Sequence, residues 1–256
     1  MEPAPAPAPA PAPALVLAAG ARVCYICLGG EEGGGRPSRL MHGGCACRGD
    51  AGFAHLSCLV KAARANAKLW WGCLTCKQHW TGPVNVGMAQ ARYLASCGEP
   101  EQNIERLHAQ TQLTHALSAA GDCTEAVHIG REALATAQRF YGPEHPETLG
   151  AMGALARAYC CSGDYAASVP LRTEGLEVRR RKLGADHELT LMAAMNLGTS
   201  YMQIGRHEEA LVLLTEAADG MRNKQNHQST FFSYLSNLAC LHSVRPVQSS
   251  CCFVAN

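Results

Sequence analysis

Gly121, Gly163 and Gly205 stand 42 residues apart, and they mark one register of a repetition that runs through the second half of the chain. Leu113, Leu155 and Leu197 keep the same spacing, as do Ala116, Ala158 and Ser200, and Ala126, Ser168 and Ala210. Gly142 pairs with Gly184, His145 with His187, Thr148 with Thr190, and Leu149 with Leu191. Eight registers at one period are hard to obtain by chance, and a period of this length means stacked supersecondary units. Within the first unit, Leu107, Leu113, Ala116 and Leu117 fall near one face at spacings of three and four, which predicts a helix over residues 105–119. Gly121-Asp122 then supplies a turn, because Gly tolerates positive φ and Asp is a good N-cap. A second helix is expected over 124–140. Gly142-Pro143 ends it, and Pro146 sits where a new helix starts without losing a hydrogen bond. Small residues at 116, 158 and 200 let paired helices approach closely.

The segments 141–149 (Tyr-Gly-Pro-Glu-His-Pro-Glu-Thr-Leu) and 183–191 (Leu-Gly-Ala-Asp-His-Glu-Leu-Thr-Leu), with Asn196-Leu197-Gly198 and the run from Gly205 to Ala210, resemble the tetratricopeptide repeats of kinesin light chains. The resemblance covers residues 105–243, about three and a half units, and implies an all-α solenoid that grips a protein or peptide in its groove. Pro170 departs from it, since a proline inside the second unit's second helix costs a hydrogen bond or kinks the helix. Residues 231–243 read as the first helix of a fourth unit without a partner, and 244–256 lose the pattern as an irregular tail.

A different constraint governs residues 23–82. Cys24 and Cys27 have two residues between them; seventeen residues on come Cys45 and Cys47, separated by one. Seven more lead to His55 and Cys58, and fourteen more to Cys73 and Cys76. Eight thiolate and imidazole donors in four close pairs suit two tetrahedral zinc ions. Such sites supply folding energy of about 10–16 kcal/mol, which a glycine-rich segment of this size needs. Residues 54–68 read as a short helix leading to Trp70-Trp71, and the glycine-rich stretch 29–35 as a spacer. His42 and His79 are alternative ligands that break the pairing. Trp70 and Trp71 fit either a partner surface or packing against the short helix.

The order of four cysteines, one histidine and three cysteines, together with Ile26, the Cys47-Arg48-Gly49-Asp50 run and Leu59, resembles the RING-CH finger of ubiquitin ligases. The resemblance implies a cross-brace. Cys24, Cys27, His55 and Cys58 would hold one Zn2+, and Cys45, Cys47, Cys73 and Cys76 the second. It also implies that Ile26 contacts a ubiquitin-conjugating enzyme. In full, the expected fold is a small zinc-bound cross-brace RING-like domain followed by an all-α tetratricopeptide-repeat solenoid, with 83–104 as a linker or helical lead-in.

Composition narrows the rest. The chain has 256 residues, 22 basic and 21 acidic, for a net charge of +1, so no nucleic acid partner is expected. Residues 1–22, mostly alternating Pro and Ala, cannot build a packed core and read as a disordered tail. No signal peptide and no apolar run of about 20 residues is found, so no membrane span is expected. Fourteen cysteines without a secretory signal point to a reducing compartment, cytoplasmic or nuclear. The seven outside the finger (Cys97, Cys123, Cys160, Cys161, Cys240, Cys251 and Cys252) read as small helix-core residues.

No paired carboxylates, nucleophile elbow or phosphate loop is present, so no catalytic side chain is assigned. Two functions remain. One is a RING-type ubiquitin ligase, which needs no catalytic side chain because it works by positioning. Its finger would dock the conjugating enzyme and its repeats the substrate. The other is a non-enzymatic zinc-finger and repeat scaffold for protein–protein interaction. A PHD-like peptide reader shares the ligand order but fits the Cys45–Cys47 and His55 spacings less well. Against the ligase, Val60-Lys61-Ala62-Ala63 stands where the family often has Trp.

Overall fold

The computed structural model describes residues 24–26, 40–41 and 53–222. The tail 1–22, the spacer 29–35, the fourth-unit helix 231–243 and the irregular tail 244–256 lie outside the described residues. The chain divides into two compact units, residues 1–80 and 81–256.

In the first unit, strands β1 (Leu40–Met41) and β2 (Ala54–His55) pair antiparallel, with Leu40 opposite His55 and Met41 opposite Ala54. Helix α1 (Leu56–Ala65) follows β2 directly and buries Leu59 and Ala63. Asn66 ends it and opens a 3-10 turn (Ala67–Trp70), its side chain accepting from the Lys68 amide at 3.2 Å. Apart from cysteines, the buried apolar side chains described here are Leu40, Ala54, Leu59, Ala63 and Trp80.

The second unit is all helix: α2 (Gly82–Ser96), α3 (Ile104–Ala120), α4 (Cys123–Tyr141), α5 (Pro146–Cys161), α6 (Tyr165–Leu183), α7 (Glu188–Gln203) and α8 (His207–Arg222). The segment read as a linker or lead-in is therefore mostly α2, which packs on α3 as α4 packs on α5. Each helix pair closes the same way. Gly121, Gly163 and Gly205 take φ of 91°, 78° and 78°. The next amides, of Asp122, Asp164 and Arg206, each donate to the carbonyl five residues back, on Leu117, Tyr159 and Tyr201, at 3.0, 2.9 and 2.9 Å. This is the Schellman closure, and it satisfies carbonyls that a helix end leaves bare.

Capping departs from expectation at one turn. Asp122 makes no side-chain cap, whereas Asp164 accepts from the Ala167 amide at 3.0 Å. The repeated histidines cap instead. His145 Nδ1 accepts from Glu147 N, and His187 Nδ1 from Leu189 N, each at 3.2 Å. Thr148 donates its hydroxyl to Gly142 O at 2.6 Å, but its counterpart Thr190 is buried with no partner for Oγ1. Pro170 lies in the second turn of α6, and the helix runs on to Leu183 without ending there. Cohesion between turns is apolar. Leu107, Leu134, Leu149, Met152, Leu155 and Val178 form one buried cluster, and Leu176, Leu191, Met195, Leu197, Leu214 and Met221 another.

The reading of the scattered cysteines as core needs correction among the described residues. Cys97 is exposed and Cys160 half-buried, while Cys123 and Cys161 are joined in a disulfide. Their positions at helix ends put sulfur beside sulfur rather than into the packed interior.

Candidate functional site

Three of the expected first-site ligands converge. Cys24 Sγ, His55 nitrogen and Cys58 Sγ all lie within 4.8 Å of one another, with Cys24 0% and His55 5% exposed. Local structure explains the convergence. His55 ends β2 and stands at the N-cap of α1, yet its side chain makes no cap bond; Nδ1 lies 3.8 Å from the Cys58 sulfur, three residues on in the helix's first turn. The His55 amide donates to Cys24 Sγ at 3.4 Å, the kind of backbone bond that steadies a thiolate. The α1 N-terminus adds a partial positive charge beside Cys58. Two sulfurs and one imidazole nitrogen at this separation are a donor set suited to zinc. Cys27, the fourth expected ligand, lies outside the described residues.

Of the expected second site, Cys73 and Cys76 are described, and Cys45 and Cys47 lie outside the described residues. The described pair sits on a tight knuckle. Cys73 N donates to Gln78 O at 2.9 Å, Lys77 N donates to Cys73 O at 3.0 Å, and Lys77 takes φ of 60°. Gly72 lets the two arms of the knuckle close in a single bridge to His79, because a Cβ there would come within 2.3 Å of Gln78 O. His79, weighed as an alternative ligand, bonds Trp71 O through Nδ1 at 3.1 Å. His42 lies outside the described residues.

The residues expected to meet a partner are on the surface: Ile26 is 40% and Trp71 43% exposed. The neighbouring Trp70 is half-buried. The tryptophan that packs is Trp80, 4% exposed, with Nε1 donating to Leu69 O at 2.7 Å. Sequence reasoning passed it over because it follows the last cysteine pair, outside the pattern being traced.

The second unit offers a different surface. On α3, His108, Gln112 and His115 share a face, and the period carries that stripe to Gly150, Ala154 and Arg157 on α5 and to Met192, Asn196 and Thr199 on α7. Apart from Ala154 these positions are partly or fully exposed. His108 Nε2 lies 2.7 Å from Glu147 Oε2, which ties α3 to α5. Arg92 of α2 donates to Gln112 Oε1 and Glu105 Oε2, each at 2.8 Å, and so holds Gln112 in place. Desolvation pushes the His115 imidazolium down to a pKa of about 4, with the Arg157 cation adding to the effect. His115 therefore stays neutral at neutral pH, offering one donor and one acceptor. Apart from Gly150, Ala154 and Met192, the stripe consists of polar side chains, Arg157 among them as a cation. No helix among the described residues is long and apolar enough to cross a membrane.

Helix pairs of 42 residues closed by a left-handed glycine, with small residues where helices meet, define a tetratricopeptide solenoid. Residues 105–223 carry tetratricopeptide repeats, since a tetratricopeptide repeat model matches residues 105–171 and, overlapping, 151–223. Among solved structures, a kinesin-light-chain-like protein of Podosopora anserina with nearly identical TPR-like repeats is 21% identical with a TM-score of 0.51, covering 74% of this chain and 88% of that one. A single-substitution form of that protein gives 21% and 0.53, over 74% and 87%. BtubC (BKLC) from P. vanneervenii is 15% identical with a TM-score of 0.53, over 73% and 79%. At these identities the likeness is one of fold, and it agrees with repeats of the kinesin-light-chain type. No curated protein matches the chain in sequence.

Proposed function

We propose that this chain is a non-enzymatic scaffold whose repeats take a protein or peptide partner across the stripe on α3, α5 and α7. The observation that carries the reading is the stripe itself, partly or fully exposed apart from Ala154 and bearing the polar side chains of His115, Arg157 and Asn196 on successive helix pairs. Peptide-display selection on the full chain tests it. Selected peptides should bind the wild type and lose at least about tenfold in affinity to the Arg157→Ala/Asn196→Ala variant, a cost of about 1.4 kcal/mol. Equal binding by both proteins would refute the placement of the site.

The first unit, in this reading, is a docking module built on two zinc ions. Cys24, Cys27, His55 and Cys58 hold one, and Cys45, Cys47, Cys73 and Cys76 the other. The convergence of Cys24, His55 and Cys58 supports it. A second reading, a RING-type ubiquitin ligase, draws on that cluster and on the exposure of Ile26 and Trp71. Ile26 and Trp71 would then receive a conjugating enzyme. Ubiquitin discharge from a panel of conjugating enzymes, with Ile26→Ala as control, decides between them. Discharge lost in the variant with zinc retained makes the chain a ligase; no discharge across the panel from zinc-loaded protein leaves the scaffold.

A further inference from the structure

Cys123 is the first residue of α4 and Cys161 the last of α5, so their bond joins one repeat unit to the next. The Cα atoms stand 5.5 Å apart, an ordinary disulfide separation. Three observations set this bridge apart from a bond the fold depends on. The joint is already held by apolar packing, since Ala133, Leu134 and Ala137 of α4 share a buried cluster with Leu149, Met152 and Leu155 of α5. Both cysteines are only half-buried, so a small thiol can reach them. And the bridge is not part of the repeat's own rule. One period on, its positions are occupied by Tyr165 and Gln203, and the joint between α6 and α7 packs without it.

A cavity of about 580 Å³ opens beside the bridge. Thr124 and Ser162, the residues directly after the two cysteines, line it together with His128, Arg131, Glu132 and Asp164. Val127 and Tyr159 complete the lining, so one guanidinium and two carboxylates stand around an apolar floor, which suits a small ligand that carries both charges.

We propose that Cys123 and Cys161 form a reversible redox staple, opened and closed by exchange with a small zwitterionic thiol of the glutathione class, which fixes or frees the joint between the first two repeat units. In closing, one cysteine thiolate attacks a sulfur of the oxidised small disulfide, forming a mixed disulfide and releasing one small thiol. The other cysteine's thiolate then attacks the protein sulfur of that mixed disulfide and releases the second. Two electrons pass from the cysteine pair to the small disulfide, and the two protons leave with the released thiols. Opening is the reverse, with two reduced thiols consumed.

The test uses the full chain equilibrated in glutathione buffers from mostly oxidised to mostly reduced, then acid-quenched, alkylated and mapped by mass spectrometry. The Cys123–Cys161 link should convert smoothly across that range while the far-ultraviolet circular dichroism of the helices stays constant. Amides at the start of α4 and the end of α5 should exchange with solvent about tenfold faster in the reduced form, and those of α7 and α8 unchanged. The Cys123→Ser/Cys161→Ser variant should exchange like the reduced wild type in every buffer. A pair that never links in oxidised buffer overturns the proposal. So does a link that survives reduced buffer until the chain unfolds, or equal exchange at the joint in both forms.

Discussion

Gly121 and Gly142 offer a controlled comparison of two backbone conformations. At both positions a Cβ would meet nothing within 4 Å, so an Ala substitution is free of neighbour clashes and tests the backbone alone. Gly121 has φ 91° and ψ 2°, a left-handed helical geometry; Gly142 has φ 86° and ψ 166°, a region almost exclusive to glycine. For an L-residue the first costs about 1–2 kcal/mol, and the second falls toward the upper end of the range of about 1–3 kcal/mol. Ala also stiffens the unfolded chain, which returns about 0.4–1 kcal/mol in both cases. The net expectation is a loss of about 0.5–1 kcal/mol for Gly121→Ala and about 2 kcal/mol for Gly142→Ala. For a chain of this size those correspond to melting-point drops of about 2 °C and about 6 °C. Thermal and urea unfolding of the full chain, followed by circular dichroism, measures both. Gly163→Ala and Gly184→Ala repeat the comparison one unit on, with φ of 78° and 90°. If the substitutions at 121 and 142 cost the same, or the order inverts, the assignment of these turns to two backbone classes is wrong.

His115 should make the solenoid acid-sensitive. Its folded pKa, about 4, lies below the unfolded value of 6.5, so its contribution is whole above pH 6.5 and is lost as pH falls toward 4. The loss is at most about 3 kcal/mol, and it is smaller to the extent that the ring's edge meets water. His115→Gln should flatten that part of the stability–pH curve in urea titrations at successive pH values; an unchanged slope excludes His115 as the source. Gly72→Ala should break the knuckle that carries Cys73 and Cys76, since the new methyl collides with Gln78 O. On the proposed two-zinc reading, stoichiometry by elemental analysis should fall from two to about one, and undiminished stoichiometry would show that the knuckle tolerates the side chain. Removing the cap with His145→Ala should cost about 1 kcal/mol, visible as earlier unfolding, with the same expected of His187→Ala.

Most of the second unit was legible because its punctuation is local. Helices read at 105–119 and 124–140 run from Ile104 to Ala120 and from Cys123 to Tyr141. Glycines and prolines fix such ends through backbone geometry that needs no distant partner. What the sequence withheld depends on contacts far along the chain. Cys123 and Cys161 are separated by 38 positions, and nothing near either one signals the other. Cys160, one residue away, is an equal candidate by sequence. Trp80 rather than Trp71 is the packed tryptophan because the turn back to Leu69 decides it. In the first unit, spacing gave the close pairs such as His55 with Cys58, which are local, whereas the grouping of Cys24 with them came from the RING-CH resemblance. The helix over 82–96 was read as a linker or lead-in because it has no partner within the period; its packing on α3 is a tertiary fact.

The covalent link from Cys123 to Cys161 straddles the seam at Gly142, where one unit hands over to the next. Elsewhere the array could gain or lose a whole block of 42 residues with each turn still closed on itself, because every Schellman bond lies within a single unit. At this seam it could not. A block inserted there would carry the two sulfurs to opposite sides of a new helix pair, so the first two units are transplanted together or lose their bond.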